Sequence, residues 1–225
     1  MGHLHESNNL RDVLVFEQDE AGQFSREVVT VASGQTLLLG AVIGKKTKAI
    51  ATTGTPVVHT GAGTVTAVTQ GPKSKIGTYT IVCKQVAVAS PVTPAIFQVT
   101  DPDGNALPDA AMGAYTSDQI NFTITQGSPV IAVNDSWTIA VSAGDGQAAA
   151  ISLVAVDGTA DAFGILTEDC DASGGAKQAV AIVKDAVIIA ANLVWPVISP
   201  AWTSDQKAAA LAQLYAKGIV ARAQA

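Results

Sequence analysis

Two cysteines, three histidines and a few clustered carboxylates are the side chains of this sequence that could carry out catalysis. A nucleophilic cysteine needs a lowered thiol pKa, but Cys170 lies within Glu168-Asp-Cys-Asp171, where the neighbouring carboxylates disfavour the thiolate. His3 and His5 lie in the polar N-terminal segment and His59 lies far from both, so a histidine-based triad is hard to assemble. The sequence also lacks the P-loop motif G-x-x-x-x-G-K-[ST], the nucleophile-elbow motif G-x-S-x-G, the zinc-protease motif H-E-x-x-H and the dithiol motif C-x-x-C. The sequence therefore predicts that the protein is not an enzyme.

Two carboxylate clusters raise the question of a metal site. The segment Asp101-Pro-Asp-Gly-Asn105 resembles the start of a calcium loop, but an EF-hand needs glycine at its sixth position and glutamate at its twelfth. Here Gly104 is fourth and Met112 is twelfth, so we interpret the segment as a turn between two strands. The segment 168–171, followed by Ala-Ser-Gly-Gly, is interpreted as a strand end that enters a loop. We expect neither a metal nor a cofactor.

The composition indicates a chain that hides part of its surface. Hydrophobic residues make up 48% of the sequence and charged residues only 14%, where roughly 25% charged residues is usual. Sibling subunits or a larger assembly would cover such a surface. The longest apolar stretch, residues 186–198, contains Asn192 and Pro196 and is shorter than the roughly 18 residues that a spanning helix needs. The polar N-terminus has no signal-peptide core, so we expect the protein to stay in the compartment where it is made.

The charge distribution argues against nucleic acid as a partner. The net charge is −6, and the densest basic cluster is Lys45, Lys46 and Lys48, which has no aromatic residues beside it. A nucleic-acid-binding face usually concentrates positive charge. Cys83 and Cys170 lie too far apart for a disulfide framework, so both are expected to be free thiols.

The pattern of the sequence changes twice along the chain. Residues 1–61 and about 148–225 are rich in alanine and aliphatic residues, whereas the middle is rich in threonine and valine with period-two alternation. Such alternation, punctuated by Gly, Pro, Asp and Asn, is typical of short antiparallel strands joined by tight turns. The sequence predicts a mainly β protein in which a trunk, residues 27–61 plus 148–225, is interrupted by an antiparallel β-sandwich at residues 62–147.

One helix is predicted near the C-terminus. Thr203 and Gln206 have the spacing of a capping box, and an apolar face is expected to follow from Ala208, Leu211, Ala212, Leu214 and Tyr215. Gly218 is suited to end the helix.

Several stretches of the trunk resemble the lambda-type head decoration proteins of tailed phages, the capsid-stabilising protein D family. In chain order they are Phe24-Ser-Arg-Glu-Val-Val-Thr-Val-Ala-Ser-Gly34, Gly40-Ala-Val-Ile-Gly44, Leu153-Val-Ala-Val-Asp-Gly-Thr159, Gly164-Ile-Leu166, Leu193-Val-Trp-Pro196, Ser204-Asp-Gln-Lys207 and Gly218-Ile-Val-Ala-Arg222. The middle of the chain departs from the short family members and looks like the immunoglobulin-like or small β-sandwich modules grafted onto phage surface proteins.

The resemblance implies a β-clip-like trunk, a homotrimer and a role as capsid cement. Such proteins bind the major capsid protein at three-fold positions on the outer surface of the expanded head and stabilise it against packaged DNA. The competing hypothesis is a surface adhesion or carbohydrate-binding β module. The aromatic residues of the middle segment argue against it, because most fall on alternating strand positions that should face a core.

The resemblance also implies contact residues. It suggests that residues 1–26 form a capsid-binding arm and that the β-prone runs 13–16 and 28–31 add a strand to a sheet edge of the shell. Residues 1–11 are polar and carry no burial pattern, so we expect them to be disordered in the free protein. The candidate capsid-binding residues are Val13, Leu14, Val15, Phe16, Phe24, Arg26, Val28 and Val29. Alternatively, residues 13–31 form the first hairpin of the trunk. The candidate trimer interface is Leu193, Val194, Trp195 and Pro196, where Trp195 could equally be a core residue.

Overall fold

The computed structural model describes residues 9–18, 24–89, 92–197 and 201–223. The described chain divides into two compact units. Lys48–Gly144 forms one unit, here called the inserted unit, and the chain on either side of it forms the trunk. Within the described ranges, no helix is long and apolar enough to cross a membrane.

The protein is mainly β, as predicted. The first part of the trunk contains α1 (Leu10–Val13), β1 (Leu14–Glu17), β2 (Arg26–Val31), β3 (Thr36–Leu37) and β4 (Val42–Lys45). The inserted unit contains β5 (Lys48–Ile50), β6 (Thr55–Val58), β7 (Thr64–Gln70), β8 (Gly77–Gln85), β9 (Val88–Ala89), β10 (Val92–Thr93), β11 (Ile96–Thr100), β12 (Gly113–Tyr115), β13 (Ile120–Thr125) and β14 (Ser136–Ala143). The second part of the trunk contains β15 (Ala148–Ala150), β16 (Ala162–Leu166), β17 (Cys170–Asp171), β18 (Lys177–Ile182), β19 (Ala186–Ile189), a 3-10 helix (Ala190–Asn192), α2 (Ser204–Tyr215) and β20 (Ile219–Arg222).

A closed barrel is the centre of the trunk. Its strands follow the order β15-β2-β18-β16-β4, and every pairing is antiparallel except the short parallel contact of Ala148 with Val31. Barrel residues from both parts of the trunk pack together in one hydrophobic cluster, among them Val31, Ile43 and Leu166. The barrel therefore closes only when the two chain segments that flank the inserted unit come together.

A smaller sheet and α2 form the second layer of the trunk. The sheet has the order β1-β19-β20, with β19 and β20 parallel. The capping box is confirmed, because the Gln206 amide donates to Thr203 Oγ1 and the Thr203 amide donates to Gln206 Oε1. The predicted apolar face is only partly right: Ala210 and Leu214 are the buried residues, whereas Tyr215 is exposed. These two residues, four apart, lie on one side of the helix and pack into the trunk core.

The inserted unit is a two-sheet sandwich with antiparallel pairing. One sheet has the order β11-β8-β14-β5, with β6 also paired to β14, and the other has the order β12-β13-β7. The two sheets share one hydrophobic core. The sequence predicts that most aromatic residues of this unit face a core, and all five are buried: Tyr79, Phe97, Tyr115, Phe122 and Trp137. Period-two alternation thus identified the core of this unit.

The inserted unit begins at Lys48, earlier than residue 62, where the sequence analysis placed its start. The reason is strand pairing: β5 pairs with β14 through Ala49 and Ser142, and β6 pairs with β14 through Pro56 and Trp137. These short strands lack the threonine and valine alternation that marked the rest of the unit. At the base of the unit, the Lys46 amide donates to the Gln147 carbonyl at 2.9 Å, so the two connecting segments lie side by side.

Candidate functional site

The first described segment of the chain is folded onto the trunk. Val13, at the end of α1, is fully buried in the trunk core, and the Asn192 side-chain amide donates to the Asp12 carbonyl at 2.6 Å. Strand β1 then pairs with β19, with Leu14 opposite Ile188. Most of the expected disordered segment, residues 1–8, lies outside the described residues. From residue 9 to 18, the expected arm is part of the trunk.

Strand β1 has an open edge and an apolar outer surface. Within the described ranges, β19 is the only strand that pairs with β1, so the other side of the β1 backbone has no partner strand in that part of the chain. The register shifts between Leu14 and Phe16, as in a β-bulge. Such a bulge breaks the usual alternation, and both Val15 and Phe16 are exposed, at 53% and 61%. Two neighbouring apolar side chains are therefore presented beside unpaired backbone groups.

An ion pair ties the end of β1 to the start of β2. Arg26 binds Glu17 through two bonds, Nε to Oε2 at 2.8 Å and Nη2 to Oε1 at 2.6 Å. Nearby, the Ser25 hydroxyl and the Gln18 amide both donate to the Asp185 carbonyl. A bidentate guanidinium pair fixes geometry as well as charge. Arg26 thus serves to hold this surface together rather than to offer an unpaired cation to a partner.

The candidate residues before and within β2 have different environments. Phe24 is half exposed, and the Lys184 ammonium lies 3.9 Å from the centre of its ring. Val28 is exposed at 61%, whereas its neighbour Val29 is buried in the barrel. Val13 and Val29 are therefore core residues and cannot contact a partner without unfolding of the trunk. The exposed members of the predicted set are Val15, Phe16, Phe24 and Val28.

Residues 13–31 do not form a hairpin. Strand β1 pairs with β19, whereas β2 pairs with β15 and β18 in the barrel. The hairpin was a natural alternative because two β-prone runs flank a turn-rich link. It is wrong because each run finds a partner strand far away along the chain.

Three of the four predicted trimer residues, Val194, Trp195 and Pro196, line an apolar cleft. Leu193 is buried in the core of its own chain, and Val194 is held by backbone bonds with Gly40 and Val42. Trp195 is partly buried, with its ring centre 5.0 Å from that of Trp202. Trp195 is thus neither a fully buried core residue nor a freely exposed one.

The cleft beside this segment has a volume of about 290 Å³. Val194, Trp195 and Pro196 form one wall, and Leu38 and Val197 are exposed apolar residues at its border. Sequence reasoning missed Leu38 and Val197, because neither belongs to a recognisable motif. The sequence offered only weak signals for them: Leu38 is an apolar residue beside a turn, and Val197 is an apolar residue beside a proline.

The Asp101 turn is confirmed, and it contains an ion pair. The Asp101 carboxylate is buried, accepts hydrogen bonds from the amides of Asp103 and Asn105, and lies 2.6 Å from Lys75 Nζ. Hydrogen bonding by Lys75 holds the Asp101 pKa well below its usual range, and this outweighs burial, which acts in the opposite direction. The Lys75 ammonium thus occupies the place where a cation would bind.

The other acidic cluster is used for backbone hydrogen bonds. Glu168 accepts from the Val180 amide, Asp169 from the Leu39 amide and Asp171 from the Ser173 amide. In the described part of the chain, no group of three or more potential metal ligands comes together. Both cysteines are free and buried, and burial raises the pKa of each thiol. The carboxylates of this cluster therefore stabilise loops, and the two cysteines pack in hydrophobic cores.

Comparison with known proteins adds one match. The family model described as Bacteriophage lambda head decoration protein D matches residues 3–219. The match includes both segments of the trunk and the inserted unit between them. No curated protein and no solved structure matches the chain.

Proposed function

Because the chain belongs to the bacteriophage lambda head decoration protein D family, we propose that it is a cement protein of a tailed phage. It binds the outer surface of the expanded head as a homotrimer at three-fold positions and stabilises the shell against the pressure of packaged DNA. Its partner is the major capsid protein of the same phage. Membership of the family supports the role in capsid decoration. The exposed apolar residues and the open edge of β1 support binding to the shell through this strand.

Strand β1 is the proposed contact with the shell. An extended segment of the capsid protein pairs with the open edge of β1, and backbone hydrogen bonds supply affinity. Val15 and Phe16 pack into apolar pockets of the capsid protein, with Phe24 and Val28 as further exposed candidates. The bulge supports this role because it turns two consecutive apolar side chains towards solvent.

The proposed trimer contact is the cleft that Val194, Trp195 and Pro196 line, extended by Leu38 and Val197. A monomer that exposes several large apolar residues gains stability when copies of itself cover them. The low charged fraction of the sequence supports burial of this kind. The carbohydrate-binding alternative has no support from the aromatic residues considered for it, because all five are buried in the inserted unit.

Decoration of heads tests the shell contact. Phe16→Asp places a charge in an apolar interface, so we expect bound protein to fall on the order of tenfold or more at limiting concentration. The control is Val57→Asp, an equally exposed valine in β6 of the inserted unit, which should decorate normally. Purified heads that lack the protein are mixed with each variant, and bound protein is measured after sedimentation.

Circular dichroism of each variant verifies that the fold is retained. Full occupancy by folded Phe16→Asp protein would rule out β1 as the contact. Cryo-electron microscopy of decorated heads tests the rest of the proposal. We expect three copies around each three-fold axis on the outer surface, and isolated single copies or density inside the shell would contradict it.

A further inference from the structure

The inserted unit contains an apolar cavity of about 650 Å³, and all the described residues that line it belong to this unit. Its inner wall consists of core residues from both sheets or the loops beside them, including Cys83, Phe97, Met112 and Ile131. Val86 and Ala87, which follow β8, form another wall. The cavity therefore borders the core of the sandwich, and Cys83, Phe97 and Ile131 are themselves buried.

The chemistry of the lining is almost uniform. Gln126 is its one polar amide side chain among the described residues, and no charged side chain lines the cavity within that part of the chain. At the border, Val130 and Val133 are exposed at 69% and 49%. Water in such a space finds few hydrogen-bond partners, and apolar cavities of smaller size stay dry and bind apolar molecules.

The loop that forms the outer wall is held in place by a buried carboxylate. Asp135 is fully buried and accepts hydrogen bonds from the amides of Ala132, Thr60 and Gly61 at 2.6–2.9 Å. The Asn134 amide also donates to the Cys83 carbonyl at 2.8 Å. The wall is thus anchored independently of the cavity contents, and a preformed site avoids the cost of ordering a loop upon binding.

We propose that this cavity binds a small, uncharged, apolar molecule. Its volume lies within the range of roughly 300–1,000 Å³ typical of small-molecule sites. The absence of charged groups from the described lining excludes a charged ligand, because such a ligand would lose hydration without gaining an ion pair. Gln126 provides one hydrogen-bonding group for orientation. The site is a property of the inserted unit and does not depend on binding to heads.

The full chain can be tested with the uncharged fluorophore N-phenyl-1-naphthylamine, which emits strongly in apolar surroundings. We expect a saturable rise in fluorescence. The sequence contains only two methionines, so methyl-labelled methionine provides a simple second readout. The Met112 methyl resonance, identified with Met112→Leu, should shift as the fluorophore is added.

Ala132→Trp should fill the cavity and weaken binding on the order of tenfold or more. The matched control is Ala114→Trp on the exposed side of β12, which adds the same ring away from the cavity and should bind normally. Val133→Asp adds a charge at the border without filling the cavity and should also weaken binding.

Thermal unfolding verifies the fold of each variant. If Ala132→Trp fails to fold, weaker binding by Val133→Asp and a shift of the Met112 resonance in the wild-type chain serve as the test instead. The proposal is overturned if the wild-type chain shows no saturable binding, if both tryptophan variants bind equally, or if the Met112 resonance does not move.

Discussion

Asp101 and Lys75 show how a single pair of residues stabilises a turn. Lys75 Nζ lies 2.6 Å from an oxygen of both Asp101 and Asp103, and the Asp101 side chain is almost completely buried. A buried carboxylate that loses its partner becomes an unsatisfied buried charge. The pair therefore matters more for stability than an exposed ion pair of similar geometry.

We expect Asp101→Asn to lower the melting temperature at neutral pH. Asp118→Asn is the control, because Asp118 and Lys73 form a 2.8 Å pair in which both side chains are mostly exposed, and such pairs contribute little. Differential scanning calorimetry measures both. Equal melting temperatures for wild type and Asp101→Asn would contradict a stabilising role for this carboxylate.

The same variant should change the acid sensitivity of the protein. Because the folded-state pKa of Asp101 is below its unfolded value of about 3.9, its contribution to stability is present above that value and is lost as the pH falls through the folded pKa. Asp101→Asn should therefore lose less stability than wild type between neutral and acidic pH.

At the scale of elements, β1 is an edge strand that belongs to the fold of the trunk and also exposes apolar residues to which a partner could bind. Val13 anchors the segment in the core, whereas Val15 and Phe16, at the bulge in β1, are exposed. Deletion of residues 1–26 would thus remove a core side chain and a strand of the small sheet. Point substitutions in β1 separate capsid binding from folding more cleanly than truncation does.

Helix α2 offers a prediction about capping. Thr203→Ala removes the hydroxyl that accepts from the Gln206 amide at 3.2 Å and should reduce the free energy of unfolding by about 1 kcal/mol. Thr203→Ser keeps the hydroxyl and should retain most of the stability. Urea denaturation gives both values, and an unchanged midpoint for Thr203→Ala would show that the cap contributes nothing.

At the scale of the whole molecule, the two units have separate cores. The chain leaves the trunk at Thr47 and returns at Asp145, and Lys46 and Gln147 are joined by a backbone hydrogen bond. Adjacent ends are typical of a unit that can be removed without opening the fold that it interrupts. The inserted unit should therefore be dispensable for folding of the trunk.

We expect replacement of residues 48–144 by a short Gly-Ser linker to leave a folded trunk that still binds heads. Because the proposed shell and trimer contacts both lie in the trunk, analytical ultracentrifugation should give a trimer for the full chain and for the shortened chain. Circular dichroism reports folding. An unfolded shortened chain would show that the trunk needs the inserted unit, and a folded monomer would place trimer contacts within that unit.

The sequence by itself determined the features that depend on neighbouring residues. Period-two alternation identified the aromatic core of the sandwich, and the spacing of Thr203 and Gln206 identified the start of α2. The Pro-Asp-Gly motif identified the turn at Asp101. Each of these signals is local, because the interacting groups lie within a few residues of one another.

Only the tertiary structure decided which apolar residues are buried and which are presented to a partner. Val13 and Phe16 belong to the same apolar run, yet Val13 ends α1 in the trunk core, whereas Phe16 lies on β1 and is exposed. The ion pair of Asp101 with Lys75, the pairing of β5 with β14 and the apolar cavity likewise depend on segments that are distant along the chain. Such contacts form only when the fold brings those segments together, so local sequence patterns do not encode them.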